Sequence, residues 1–244
     1  PSVANIALVK AARALEMHGA TLDLAASLST LVQAATVLLM GFLADRFGRR
    51  RVLLVSLLLA VAGDLITVVT PNAEFYLLGR AITGLALGSV LAASFAYVRF
   101  VCPPSRISQA LGLWNLLTVV GFLAGSLAGG WLANAGWRWA MGLVPLVCGL
   151  CTLLVPVLLP PTPANPKLRA DWPGLVSIAI AMVLFLTGVS RATDGLQSPT
   201  FVLPTLAGLV MFAVHYALER RSSRPIFPPA LYGRGFFAAA IVSG

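Results

Sequence analysis

Long apolar stretches with few or no charged residues recur along this chain, and they leave few folds open to it. Each is close to the roughly 20 residues that an α-helix needs to cross a hydrocarbon layer of about 30 Å. Lipid offers the backbone no hydrogen-bond partner, and the stretches lack the alternation of barrel strands, so we predict helices. The apolar stretches cover residues 24–44, 51–70, 75–98, 109–133, 139–160, 173–190 and 200–218.

Two further apolar stretches are predicted to be partial spans. The first, residues 3–9, opens the chain without a Met or a basic leader, and the second begins near residue 235 and is still running at Gly244. We therefore expect a fragment of a longer protein. The predicted fold is an all-α integral membrane protein, a helical bundle with seven complete and two partial spans.

Composition excludes a soluble domain. Hydrophobic residues make up 59% of the chain and charged residues only 10%, whereas about 25% of an ordinary soluble domain is charged. The formal charge of +9 does not indicate nucleic-acid binding, because the sequence has no polar domain that could display a basic face. We assign that charge to membrane topology, with the lipid bilayer as a partner and no nucleic acid.

The densest charge lies in residues 41–51, GFLADRFGRRR, between two apolar stretches. We predict a short loop there, with Gly48 permitting a tight turn. Twelve of the basic residues fall on the same side of the membrane as this loop, which places it in the cytoplasm and the chain in the inner membrane. These twelve are Arg46, Arg49, Arg50, Arg51, Arg99, Arg106, Lys167, Arg169, Arg220, Arg221, Arg224 and Arg234; the opposite loops hold Lys10, Arg13, Arg138 and Arg191.

No arrangement of side chains predicts an enzyme. Cys148 and Cys151 form a CxxC pair, but it lies inside an apolar stretch without a second pair or a nearby histidine, so no metal or redox site is expected. The sequence shows no nucleophile, base and acid set and no glycine loop that could cradle a phosphate. We expect no cofactor and no catalytic residue.

Ionisable residues inside the spans are the candidates for coupling transport to protons, because a charge at the bilayer centre is costly. Asp64 and Arg80 are predicted at similar depth. Arg80 would stabilise the ionised form of a proton-carrying acid, which is either Asp64 or a carboxylate missing from the first helix. The alternative is that Asp64 is a structural partner of Arg80. His215 is predicted to be an interfacial side chain, with a coupling role as the alternative.

Glycines form one face of the fifth span. Gly121, Gly125 and Gly129 recur every four residues, with Gly130 beside them, so another helix can approach closely there. Two interpretations stay open at this point: static packing, or a dry seam between bundles that prevents a proton leak.

Several of these residues resemble the signatures of the major facilitator superfamily. The loop between the second and third helices matches almost position for position, at Gly41, Leu43, Asp45, Arg46, Gly48, Arg49, Arg50 and Leu53. Arg80 and Gly84 resemble the family's RxxQG, with Thr83 in place of the glutamine. The fifth-span glycines resemble the motif of its antiporters, with Ser126 where proline is usual.

The arrangement after the sixth span resembles the fourteen-helix drug:proton antiporters. The resemblance implies a six-helix bundle in residues 1–160, a cytoplasmic connector in 161–172 and two added helices in 173–218. A cytoplasmic loop, 219–234, would then lead into the next helix at 235–244. The C-terminal half of such a transporter is missing from this chain.

The function implied by the resemblance is proton-coupled export of small amphipathic molecules by alternating access. Asp45 would lock the cytoplasmic side against the second half, within a gating loop that includes Arg46, Arg49 and Arg50. The substrate cavity would lie between two bundles, with Gln33, Asn115 and Thr118 as polar candidates. A proton-coupled metabolite importer and a membrane sensor or scaffold without transport are the alternatives.

Overall fold

The computed structural model of the chain describes residues 2–166, 168, 170–192 and 195–221, and of residues 2–6 the backbone alone. The chain divides into two compact units, residues 1–168 and 169–244. Lys167, Arg169, Arg224 and Arg234, on which the predicted orientation also depends, lie outside the described residues. So do most of the predicted loop 219–234 and all of the helix start 235–244.

The described residues fold into helices. In the first unit, α1 to α6 span Ser2–Ala14, Ala20–Phe47, Arg49–Val69, Ala73–Val101, Ile107–Ala135 and Trp137–Leu158, with a 3₁₀ turn at Pro104–Arg106 before α5. In the second unit, α7 and α8 span Trp172–Ser190 and Pro199–Arg221.

Seven helices, α2 to α8, are long and apolar enough to cross a membrane. The predicted all-α architecture with seven complete spans is therefore confirmed. The finer division into bundle, connector and added helices stays a prediction.

The predicted loop over residues 41–51 is wrong in extent. Helix α2 continues through Phe47 and α3 begins at Arg49, so Gly48 alone separates them. Leu, Ala, Arg and Phe are compatible with a helix, and the charged residues can therefore extend α2 beyond its apolar stretch. Gly48 breaks the helix because its φ is +96°, a value that residues with a Cβ rarely adopt. The tight turn at Gly48 is confirmed.

The sequence placed Lys10 and Arg13 in a loop, and this prediction is wrong. Both residues lie in α1, which continues to Ala14. The Lys10 ammonium donates a hydrogen bond of 2.6 Å to the carbonyl oxygen of Ala133, near the end of α5. Carbonyls in the last turn of a helix have no partner within that helix. The Lys10 side chain supplies one.

Helix α4 packs against both α2 and α3 at contacts where only glycine fits. A Cβ built on Gly84 would lie 2.5 Å from the Ser29 carbonyl oxygen of α2, and one on Gly88 would lie 2.9 Å from that of Gln33. On the α3 side, a Cβ on Gly63 would lie 2.8 Å from the Thr83 amide nitrogen. The absence of side chains at these points therefore sets the distance between the backbones.

Hydrogen bonds between helices accompany this close packing. The Ser29 hydroxyl of α2 donates to the carbonyl oxygen of Arg80 in α4 at 2.8 Å, and both groups are buried. The hydroxyls of Ser56 in α3 and Ser89 in α4 are also hydrogen-bonded to each other. Such bonds hold helices together in lipid, where burying apolar surface contributes little.

In the second unit, α7 and α8 form a close pair. A Cβ on Gly208 of α8 would lie 2.6 Å from the Phe185 amide nitrogen of α7, and the rings of Phe185 and Phe212 meet edge to face at 5.9 Å. The Asp171 carboxylate accepts a hydrogen bond from the Gly174 amide at 3.4 Å, which caps the start of α7. Glycine contacts thus set the separation of this helix pair as well.

Gly84→Ala is expected to destabilise the first unit, because its methyl group would force α2 and α4 apart. Overpacking of this kind costs about 1–3 kcal/mol. Gly112→Ala in α5 is the matched control, since a Cβ there meets nothing within 4 Å. Thermal unfolding in detergent should show a lower midpoint for Gly84→Ala alone; equal midpoints for the two variants would contradict the role of this contact.

Candidate functional site

The junction between α2 and α3 contains the predicted gating residues. Gly41, Asp45 and Arg46 lie in the last two turns of α2, and Arg49 and Arg50 open α3. The Arg49 guanidinium and the Asp45 carboxylate form an ion pair of 2.9 Å. Their side chains are 26% and 49% exposed, and ion pairs this accessible to water contribute only about 0–1 kcal/mol. This contact can therefore be broken at little cost.

Arg49 also connects the junction to α4. Its second terminal nitrogen donates to the Ala96 carbonyl oxygen at 3.0 Å, and its guanidinium lies 5.6 Å from the centre of the Phe100 ring. The first residue of α3 therefore contacts both the end of α2 and the end of α4. Arg46, in contrast, faces the ring of its neighbour Phe47 at 5.6 Å.

The start of α3 receives its cap from a distant residue. Gly48 occupies the N-cap position and has no side chain to cap with. Instead, the Thr162 hydroxyl, 112 residues further along the chain, accepts a hydrogen bond of 3.3 Å from the Arg50 amide. This amide is one of the first-turn donors that have no partner inside a helix. The segment after α6 thus completes the α2–α3 junction.

Three more hydrogen bonds lie around this junction, and they join α3 to α6, α4 to the segment after α6, and that segment to α2. No pattern in the sequence marks them, because each joins residues far apart in the chain. The Arg50 guanidinium donates to the Pro156 carbonyl oxygen at 2.9 Å. The Tyr97 hydroxyl donates to the Pro160 carbonyl oxygen at 2.7 Å, and the Asn165 amide donates to the Asp45 carbonyl oxygen at 3.3 Å.

Thr162→Val is expected to loosen the first turn of α3, because it keeps the shape of the side chain and removes its acceptor oxygen. Loss of an N-cap costs about 0.5–2 kcal/mol. Hydrogen exchange of the Arg50 amide should then become faster, while Thr162→Ser should exchange like the wild type. Equal exchange in Thr162→Val and the wild type would refute the capping role.

Asp64 and Arg80 come together inside the first unit. Asp64 is 4% exposed and Arg80 2%. The Thr83 hydroxyl donates to one carboxylate oxygen of Asp64, Oδ1, at 3.0 Å. Asp64 Oδ2 and Arg80 Nε are buried without a hydrogen-bond partner among the described residues. The two side chains do not form a direct ion pair there, although both line one cavity.

That cavity has a volume of about 470 Å³ and lies among α3, α4, α5 and α6. Gly121 and Gly125 of the α5 glycine face line it, whereas Gly129 is buried and Gly130 half-buried nearer the end of α5. A Cβ on Gly121 would meet nothing within 4 Å. At Gly121, the glycine face therefore borders open space in this unit, and the seam between bundles stays a prediction.

The three polar candidates for a substrate cavity are not brought together at this cavity. Gln33 is half-buried, with its backbone against Gly88 of α4. Asn115 and Thr118 are exposed on α5, and the Thr118 hydroxyl donates to the Trp114 carbonyl oxygen at 2.8 Å. Their role in binding stays a prediction.

His215 is only 3% exposed, and its predicted position at the membrane interface stays a prediction. It lies in α8, and its ring nitrogen Nδ1 is hydrogen-bonded to the Ser177 hydroxyl of α7 at 2.9 Å. A polar group inside a helix pair is stabilised when it has such a partner. The Ser177–His215 contact therefore belongs to the packing of the second unit.

Comparisons with known proteins identify the same family as the residues of the α2–α3 junction. The family profile described as Major Facilitator Superfamily matches residues 2–244. The chain is 31% identical over 236 residues to a multidrug resistance protein B homolog of Mycobacterium tuberculosis, covering 94% of this chain and 42% of that protein. It is 30% identical over 237 residues to a lincomycin resistance protein of Streptomyces lincolnensis, covering 95% and 48%.

A third relative is a puromycin resistance protein of Streptomyces alboniger, 29% identical over 233 residues that cover 94% of this chain and 46% of that protein. The chain thus spans less than half the length of each of these three relatives. The profile match extends over nearly all of its residues. The chain belongs to the major facilitator superfamily and is a multi-pass membrane protein, and the predicted family is confirmed.

Proposed function

We propose that the protein exports small amphipathic molecules across the inner membrane in exchange for protons, as a secondary transporter of the fourteen-helix type. Membership of the superfamily supports transport, and relatives named for resistance to lincomycin and puromycin support small drug-like substrates. The single observation that carries the proposal is the buried Asp64–Arg80 site at an apolar cavity.

Asp64 carries the proton in this proposal. Burying a carboxylate and a guanidinium in a membrane-spanning helix pair is costly, and residues of this kind mark ion and proton pathways in membrane proteins. Thr83 fixes one oxygen of the carboxylate, which leaves Oδ2 for the proton. The nearby charge of Arg80 favours release of that proton when the site opens to the side of lower proton concentration.

Asp45 acts as the cytoplasmic gate. Its carboxylate is half exposed, and its ion pair with Arg49 is accessible to water. A contact of such low net stability can exchange for another partner in the second half of the transporter as the two halves rock. The junction lies on the cytoplasmic side in this proposal, following the distribution of basic residues.

A proton gradient supplies the energy. The sequence shows no motif for binding a nucleotide, and an ion gradient then remains as the driving force. Alternating access to the two sides of the membrane would couple proton entry to the exit of the substrate.

The full-length protein should concentrate a fluorescent cationic dye, rhodamine 6G, in everted vesicles that are energised to acidify their interior. Uptake should stop when the proton gradient is collapsed, and Arg80→Ala should abolish it at equal protein levels. Uptake no greater than in empty vesicles would contradict export of this dye. Gradient-driven loss of preloaded dye would favour the importer.

Asp64→Asn should uncouple dye movement from protons, because the amide is nearly isosteric but cannot carry the proton. Glu74→Gln is the matched control, as Glu74 is an exposed carboxylate in the first turn of α4. Dye-induced proton efflux from the vesicles should disappear in Asp64→Asn and persist in Glu74→Gln. Unchanged proton efflux in Asp64→Asn would refute its role as the proton carrier.

A further inference from the structure

A groove between α2 and α3, which we call the α2–α3 groove, runs inward from their junction. Phe47 and Arg51 line its outer end, and Leu59 of α3 and Leu85 of α4 line its inner end. Its volume is about 310 Å³. From residue 51 to residue 59, α3 rises by about 12 Å, which is most of one leaflet of a hydrocarbon core about 30 Å thick. The groove therefore has the depth of a single lipid leaflet.

Below Arg51, the groove offers a ligand no free polar side chain among the described residues that line it. Its walls are apolar and include Met40 and Leu43. The hydroxyls of Ser56 and Ser89 lie at its floor, where both residues are buried, and they are hydrogen-bonded to each other. A polar ligand would bury its own polar groups there without partners, which is unfavourable. The part of the ligand inside the groove is therefore apolar.

The groove opens at the surface of the first unit. Phe47 and Val55, which line it, are 52% and 56% exposed. Both α2 and α3 are long and apolar enough to cross a membrane, so the opening lies at hydrocarbon depth. The apolar material that surrounds a protein at that depth is the acyl chains of lipids.

Arg51 supplies a positive charge at the outer end of the groove. Its side chain is exposed and forms no hydrogen bond or ion pair with the described residues. The guanidinium groups of Arg49 and Arg50, in contrast, are already bonded to the Asp45 carboxylate and the Pro156 carbonyl oxygen. Arg51 also lies in the first turn of α3, where the helix dipole favours an anion. A guanidinium binds phosphate well, because two of its N–H groups can donate in parallel.

We propose that the α2–α3 groove binds an anionic phospholipid, with one acyl chain along the groove and the headgroup phosphate on Arg51. The acyl chain does not select this lipid, since the bilayer is as apolar as the groove wall. Selection comes from charge, as at other basic pockets between membrane-spanning helices. A zwitterionic lipid also has a phosphate, but its amine offsets the negative charge that Arg51 attracts. The inference depends on neither drug export nor proton coupling.

Photo-crosslinking in the full-length protein tests the site. The protein is reconstituted in phosphatidylcholine vesicles that contain a small, equal fraction of either phosphatidylglycerol or phosphatidylcholine with a diazirine midway along one acyl chain. After illumination, mass spectrometry measures labelling at Leu85, which lies at the inner end of the groove. The phosphatidylglycerol probe should label Leu85 about fivefold more than the phosphatidylcholine probe, the preference expected for one arginine near an anionic headgroup.

Two pairs of variants separate the charge from the space. Arg51→Gln should lower labelling by the phosphatidylglycerol probe to the level of the other probe, whereas Arg99→Gln, an exposed arginine in the last turn of α4, should not. Val55→Trp should fill the groove and lower labelling by both probes. Leu58→Trp is its control, because Leu58 is on the same helix and is also 56% exposed but does not line the groove.

Equal labelling of Leu85 by the two probes in the wild type would overturn the proposal, because the site would then not select an anionic lipid. Labelling elsewhere on the protein but none at Leu85 would also overturn it, since another part of the full-length chain would then cover the groove. A preference that is lost in Arg51→Gln and kept in Arg99→Gln, with both variants as thermally stable as the wild type, would support it.

Discussion

Backbone contact between α4 and its two neighbours is the constraint on which the rest of the first unit depends. Lipid is as apolar as the side chains facing it, so helices in a membrane are held by close packing and by hydrogen bonds between them. Gly84 and Gly88 bring α4 against α2, and Gly63 brings α3 against α4. The Ser29 hydroxyl then reaches the Arg80 carbonyl oxygen, which is possible only at this short separation.

The same packing positions the charged site. Arg80 and Thr83 lie between Gly79 and Gly84 on α4, so the contacts that fix the backbone also fix where these side chains start. Thr83 holds Asp64 from the facing helix through a buried hydrogen bond. The proposed chemistry and the packing therefore depend on one helix, and a substitution that moves α4 would disturb both.

Hydropathy and basic-residue counts predict the spans because the bilayer imposes a length and a polarity on every one of them. The positions of close contact are harder to predict. Gly84 and Gly88 repeat at the same interval as Gly121 and Gly125, yet the first pair touches a helix and Gly121 borders a cavity. That difference depends on the neighbouring helices. Asp64 and Arg80 were identifiable because charge is rare inside a span, whereas a cap as remote as Thr162 leaves no local pattern.

The distant cap has a consequence for the order in which the protein is made. Thr162 follows Arg50 by 112 residues, and at about 5–20 residues per second its synthesis comes roughly 6–22 seconds later. During that interval, α3 begins at a glycine and has no side chain to close its first turn. The α2–α3 junction is therefore complete only after α4, α5 and α6 have been synthesised, when the last segment of the first unit emerges from the ribosome.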